Sequence, residues 1–285
     1  MAGITNAAFR TLCRRYGGGL YVSEMVNARG LVERSDRSWR MVAREPDAGR
    51  HSVQLYGSDP STVGEAVRLV IGELGVDHVD LNFGCPAPKV TRKGGGAALP
   101  VRRVLFAHIV GAAVAAAEAE SGGAVPVTVK MRIGLDDGHR TALEAGRSAQ
   151  DAGVAAVALH ARTAEQLYSG RADWTAIAAL VDALDVPVLG NGDIWTPVDA
   201  LAMRDATGCA GVVVGRGCLG RPWLFRDLAD AFAGRPVTGP PPLGEVVAVM
   251  GEHLRLLVAL LGPLDGVRSF RRHVAWYLIG LPVGR

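Results

Sequence analysis

The 285-residue sequence predicts an α/β fold, a (β/α)8 barrel followed by a small helical unit, and three observations carry that prediction. Short apolar runs alternate with helix-like segments, nearly every run closes on a polar group at its C-terminal end, and the alternation stops after Phe225. The length suits one barrel-sized domain with an appendage. With 49% hydrophobic and 21% charged residues, and with 37 Gly and 15 Pro spread in short clusters, the chain is globular rather than disordered or collagenous.

The runs, in order, are Leu20–Met25, His51–Tyr56, His78–Phe83, Val125–Met131, Ala156–His160, Val186–Gly190 and Gly211–Val214. Between them lie helix-like segments at Pro60–Leu74, Val101–Glu120, Arg140–Ala152, Trp174–Leu184 and Pro197–Asp205, and Val110–Glu120 is rich in alanine, the best helix former. Near-continuous hydrophobicity marks strands covered on both faces, and strand-helix alternation implies parallel strands with right-handed crossovers. An open doubly wound sheet and a TIM-type barrel both satisfy this. The polar ends favour the barrel: Glu24, Gln54, Asn82 with Cys85, Lys130, His160, Asn191 and Arg216 all fall at C-terminal strand edges. A barrel builds its site on that one face, whereas an open sheet concentrates such residues at a single switch point. Farther on, Gly234–Gly244 reads as a linker, and Glu245–Leu261 and Val267–Ile279 read as two helices. The expected domains are therefore 1–236 and 243–285.

Net charge is +3, which permits contact with a polyanion without establishing it. Of 31 basic residues only Lys89, Lys93 and Lys130 are lysines, and all three lie near strand ends. Either those positions need a compact ammonium or the placement is incidental. Cys13, Cys85, Cys209 and Cys218 form no C-x-x-C pair, so neither a disulfide framework nor a metal site is expected. The longest weakly polar stretch, Ile109 to Ala117, is far short of the roughly 20 residues that span a bilayer. Met1 is not followed by a signal-like segment. A cytoplasmic monomer without membrane contact is the expectation.

Gly215-Arg216-Gly217-Cys218-Leu219-Gly220 matches G-x-G-x-x-G, but it follows the last strand rather than the first, and Arg221-Pro222 interrupts the helix a dinucleotide fold needs. In a barrel, glycines after the last two strands let backbone N–H groups approach a phosphate, and Asn191-Gly192-Asp193 joins Gly215-Arg216 there. A phosphate-bearing cofactor is the better inference. Asp80-Leu81-Asn82-Phe83-Gly84-Cys85-Pro86 places a cysteine beyond a buried strand, followed by a flexible, basic, glycine-rich loop from Lys89 to Gly96. A free thiol titrates near about 8.5, which suits proton donation at neutral pH. His160 reads equally as a cofactor ligand or a base. Arg268, Arg271, Arg272 and His273 either face phosphate or form the solvated side of a helix.

The chain resembles the tRNA-dihydrouridine synthase family, bacterial general type, on an ordered set of motifs. These are Met1-Ala2-Gly3-Ile4-Thr5 with Phe9-Arg10, Ser23-Glu24-Met25, Val53-Gln54-Leu55-Tyr56-Gly57, Asp80 to Ala87, Lys89-Val90 with Arg92-Lys93, Val129-Lys130-Met131-Arg132, His160-Ala161-Arg162-Thr163, Asn191-Gly192-Asp193-Ile194 and Gly215-Arg216. The resemblance implies an FMN-binding barrel and a helical domain that holds tRNA. It implies that Met1, Ala2, Gly3, Gln54, Lys130 and His160 hold the flavin, with its phosphate on Asn191, Gly192, Asp193, Gly215 and Arg216. Cys85 would protonate a uridine C5 while C6 takes a hydride, NADPH would be the electron donor, and Asn82 would orient flavin or uracil. Lys89, Arg92, Lys93, Arg162, Arg271 and Arg272 would contact the RNA, whose target base leaves its stack. The family begins with a strand and an Ala-Pro pair ahead of the Met1 segment and ends with a further helix. Seven strands rather than eight, and a shortened helical domain, are therefore expected. Two alternatives stand beside this: an FMN-barrel oxidoreductase acting on a small pyrimidine or enone, and a catalytically inactive RNA-binding relative.

Overall fold

The computed structural model describes residues 1–44 and 49–281. After α1 (Ala7–Arg14) come β1 (Val22–Asn27), α2 (Ala28–Val32), α3 (Asp36–Val42), β2 (Ser52–Tyr56), α4 (Pro60–Leu74) and β3 (His78–Phe83). The chain continues through α5 (Pro88–Thr91), α6 (Arg103–Ser121), β4 (Val127–Arg132), α7 (Ala142–Asp151), β5 (Ala156–His160) and α8 (Thr175–Ala183). It then forms β6 (Val188–Asn191), α9 (Pro197–Thr207), β7 (Gly211–Val213), α10 (Leu224–Phe232), α11 (Leu243–Leu261) and α12 (Pro263–Tyr277). The seven strands form one sheet in chain order, every neighbouring pair parallel. The fold is an α/β, TIM-like barrel wall wrapped by helices, with β1 and β7 as its two edges.

Local chemistry sets the helix ends. Asp59 accepts the Thr62 N–H at 2.7 Å, Pro60 fills the first turn, and Gly75 closes α4 in the left-handed region at φ 57°. In α9, Thr196 and Asp199 form a reciprocal capping box. Strand side chains alternate between faces, so Val79, Leu81 and Phe83 pack outward while Asp80 and Asn82 point into the barrel. Phe83 meets Phe106 of α6 edge-on, ring centroids 4.7 Å apart.

The 19-residue α6 is, by length and composition, long and apolar enough to cross a membrane, a longer span than Ile109 to Ala117 alone suggests. One face of it, with Phe106, Ile109, Val110, Ala113 and Ala117, is buried in the barrel core. The alternation also runs past Phe225, because α10 completes the unit begun by β7. At the β1–β7 seam Tyr21 stands edge-on to Phe225, ring centroids 5.0 Å apart, and donates its hydroxyl to Gly17 O at 2.9 Å.

The two final helices meet through Gly262 at φ 83°, and the second starts at Pro263, earlier than its sequence pattern indicates. They dock on α1 through a separate apolar cluster of Leu12, Trp223, Val246, Val249 and Tyr277. Residues 282–285 of the expected 243–285 unit lie outside the described residues.

Candidate active site

Register stacks the polar residues in layers. Gln54 pairs with Asp80 and Asp80 with Thr128; one layer higher, Asn82 pairs with Lys130; higher still, Arg132 pairs with His160 and His160 with Asn191. Gln54 Nε2 donates to Asp80 Oδ2 at 2.6 Å, and Asn82 Nδ2 donates to Gln54 Oε1 at 2.8 Å. Asn82 Oδ1 then accepts the N–H groups of Gly84 at 3.1 Å and Cys85 at 2.9 Å, which folds the chain just past β3. Lys130 Nζ donates to Asn191 Oδ1 at 3.1 Å, while Asn191 Nδ2 is held by Val213 O at 2.6 Å.

These groups share a positive field. Burial pulls the Lys130 ammonium down to about 8, with Asp80 opposing and Arg132 adding to the fall. Burial pushes the Asp80 carboxyl up to about 6 against hydrogen bonds from Thr128 and Gln54. Burial and then the charges of Lys130, Arg132, Arg162 and Arg216 hold His160 down at about 2. The imidazole is therefore neutral at physiological pH, the form in which it could act either as a cofactor ligand or as a base. Lys130 has three N–H donors and spends one on Asn191. A half-buried ammonium with donors to spare, among cations, suits the anionic edge of a reduced flavin.

Two residues given no role from sequence are linked to the cysteine turn, Arg132 directly and Tyr168 through Arg132. Arg132, 4% exposed, donates from Nε to Gly84 O at 3.0 Å and from Nη1 to Thr163 O at 2.7 Å and Leu167 O at 2.9 Å. One guanidinium thus ties the cysteine turn to the loop after β5. Its position two residues past Lys130, on the same strand face, was the signal that could have found it. Tyr168, on that loop and 52% exposed, lies under the guanidinium of Arg216 at 4.4 Å and near that of Arg132 at 5.7 Å. No periodicity marks a loop aromatic.

The G-x-G-x-x-G segment divides its glycines between two tasks. A Cβ on Gly217 would lie 2.1 Å from Ile194 O, so the loops after β6 and β7 pack backbone on backbone, while Gly215 faces open space. That leaves a backbone cradle beside Arg216 of the kind a phosphate occupies. A Cβ on Gly220 would lie 2.3 Å from the Trp276 carbonyl carbon, so this glycine admits α12 to the barrel. Asp193, at φ 57°, accepts from Arg162 Nη2 at 2.7 Å and lies 3.5 Å from Arg216. Arg162, expected among the RNA contacts, is 1% exposed and also donates to Ser169 O and Gly170 O. It shapes the loop from within.

The remaining expected residues lie around the rim. Met1 packs on the barrel core, Ala2 is exposed, and Gly3 donates its N–H to Glu24 Oε1. Arg272 Nη1 donates to Gly3 O at 3.3 Å, joining α12 to this segment, and Arg271 is exposed. Lys89, Arg92 and Lys93 are exposed, but the loop expected to be flexible forms α5 and a 3-10 turn at Gly96–Ala98. Arg92, Lys93 and Arg102 border an open basin of about 440 Å³. His273, expected beside the arginines of α12, is instead fully buried against His253, ring centroids 4.4 Å apart. Among the described residues no cluster of His, Cys, Asp or Glu is arranged to hold a metal ion.

The dihydrouridine synthase family model matches residues 1–285. A Mycobacterium leprae protein named probable tRNA-dihydrouridine synthase is 53% identical over all of this chain and 80% of its own length. The tRNA-dihydrouridine synthase B of Escherichia coli is 39% identical, over 98% of this chain and 84% of its own. Among solved structures, the old yellow enzyme homologue of Zymomonas mobilis superposes with a TM-score of 0.51 at 14% identity, over 85% of this chain and 89% of that one. The histamine dehydrogenase of Rhizobium sp. 4-9 gives 0.57 at 12% identity, over 89% and 46%. These two share the fold.

Proposed function

The chain belongs to the dihydrouridine synthase family, and on that premise we propose that it reduces the C5=C6 bond of uridines in tRNA to give 5,6-dihydrouridine. The observation that carries the reading is the convergence of Cys85, Asn82, Gln54 and Lys130 at one end of the barrel, joined by hydrogen bonds to two neighbouring loops. FMN, when bound, supplies the hydride taken by C6, and NADPH replenishes it.

The protein's own groups do the rest. Lys130 offers its unused N–H donors to the pyrimidine edge of the flavin, Gln54 and neutral His160 line the same pocket, and Met1, Ala2 and Gly3 close its rim. Asn191, Gly192, Asp193, Gly215 and Arg216 form the phosphate cradle. The Cys85 thiol would hand its proton to C5, acting as general acid. An extruded uracil must lie beside Cys85, and Arg132, which ties the cysteine turn to the loop carrying Tyr168, would help frame it. Lys89, Arg92 and Lys93 on one side, and Arg271 and Arg272 in the helical unit on the other, take the phosphate backbone. Arg162 supports the uracil side through the loop it holds.

The test incubates the protein with FMN, NADPH and tRNA transcribed without modifications, and digests the RNA for mass spectrometry. Uridines that gain two hydrogens at defined positions support the proposal. A flavin-loaded protein that leaves every uridine unchanged, or that reduces free uridine equally well without tRNA, overturns it.

A further inference from the structure

Asp80 carries a charge that the proposed reaction does not call on. It is 5% exposed, sits on β3 two residues before Asn82, and is the point at which two hydrogen-bond chains end. One chain starts at the catalytic turn and passes through Asn82 and Gln54. The other runs from Ser52 Oγ to His78 Nδ1 at 2.7 Å, from His78 Nε2 to Thr128 Oγ1 at 3.0 Å, and from Thr128 Oγ1 to Asp80 Oδ1 at 2.6 Å. Burial holds His78 down at about 4, so its ring is neutral and has one donor and one acceptor nitrogen.

We propose that Asp80 is a positioning residue that sets the hydrogen-bond polarity of the catalytic turn, acting on Cys85 through Gln54 and Asn82. The meaning of that turn for catalysis rests on the function proposed above; the polarity chain does not. Its direction follows from its ends. A carboxylate only accepts, so Gln54 must turn its NH2 toward Asp80 and its carbonyl toward Asn82. Asn82 must then give its NH2 to Gln54, which leaves its oxygen for the Gly84 and Cys85 amides, and backbone N–H groups only donate. Both ends demand the same orientation of the two amides between them. With the turn fixing one end, an apolar group at position 80 would leave the Gln54 NH2 without its acceptor and a donating group would oppose it, and buried mismatched polar groups are costly.

A double-substitution cycle tests this. Asn82→Asp keeps an acceptor for the turn but forces Gln54 to turn its NH2 toward position 82, so the Gln54 carbonyl then faces the Asp80 carboxylate. Asp80→Asn relieves the clash: its NH2 meets the turned Gln54 carbonyl and its oxygen still accepts from Thr128. Asp80→Asn alone can also be met by reversing the Ser52 chain, so the diagnostic quantity is the coupling between the two sites, not the cost of that single change.

The readout is chemical unfolding of the protein without cofactor. Asn82→Asp lowers the folded-to-unfolded ratio by roughly tenfold or more, and adding Asp80→Asn restores most of it. Plain repulsion between two carboxylates would give the same rescue, so the cycle is repeated in a Gln54→Met background, where coupling through the amide disappears and repulsion persists. Additive losses, or coupling unchanged by Gln54→Met, would overturn the proposal. Since neither flavin nor tRNA enters this measurement, failure to make dihydrouridine would sink the function while leaving the cycle intact.

Discussion

The side-chain oxygen of Asn82 accepts the backbone N–H of Cys85 at 2.9 Å, so the turn that carries the thiol is held by backbone and not by the thiol itself. Replacing Cys85 with alanine therefore keeps the turn and removes only the proton. Cys85→Ala is expected to retain FMN and NADPH oxidation while dihydrouridine formation falls by roughly 10²- to 10⁴-fold, the usual contribution of a general acid. Stopped-flow flavin reduction and RNA mass spectrometry separate the two half-reactions. Unchanged product yield would remove Cys85 from the mechanism.

That turn also shows how much was legible from sequence. β3 and β5 were readable to the residue because each is an apolar run with a clear boundary on both sides, and α4 because Asp59, Pro60 and Gly75 punctuate it. Short α1, α2, α3 and α5 carry too few turns for a hydrophobic period to show, and tertiary contacts form them. Asn82, Lys130 and Asn191 were visible as polar groups at strand ends. Arg132 shares the strand face of Lys130, but its role was not visible because it lies in carbonyls 31 and 35 residues farther on. His273 misled for the converse reason: it follows three arginines in sequence but points to the opposite side of α12, toward Phe9 and His253.

Lys130 gives a second prediction. Its ammonium is held near 8 by burial, so in the free protein it loses its charge as pH rises through that value. FMN affinity, followed by quenching of flavin fluorescence, should weaken over the same interval. Lys130→Met should bind FMN roughly tenfold more weakly at neutral pH, the scale of a lost hydrogen bond to a charged group, and show no such dependence. A pH-dependence that persists in Lys130→Met would assign it to another group.

Acid should unfold the protein through its buried histidines. Burial lowers His253 to about 3 and His273 to about 4, each from 6.5, and both rings are fully buried between α1, α11 and α12. The unfolded chain takes up protons at a pH where the folded chain does not, so stability is complete above about 6.5 and falls as pH drops toward 4. At pH 5 the loss is roughly 2 kcal/mol for each histidine. Among the described residues neither ring nitrogen of His273 has a hydrogen-bond partner, so His273→Phe should keep stability at pH 7 and flatten the acid slope. Urea unfolding at pH 7 and pH 5 checks both; an equal slope in the variant would mean that His273 does not contribute.

Arg132 should control RNA turnover without touching flavin affinity. Its guanidinium makes three hydrogen bonds to carbonyls on two loops, one the cysteine turn at Gly84 and the other the segment holding Thr163 and Leu167. A lysine there has a single compact donor group on a flexible stem and cannot span three acceptors fixed by a planar fork. Arg132→Lys therefore frees Tyr168 and the cysteine turn to move independently. A misplacement of about 1 Å between reacting groups is enough to lower a rate by roughly 100-fold. The expected result is a fall in kcat/KM for tRNA of that order, with FMN affinity within about threefold of the unaltered protein, because Gln54, Lys130 and the cradle at Gly215 are supported by other contacts. A comparable loss of FMN binding would place Arg132 in the flavin pocket and not between the loops.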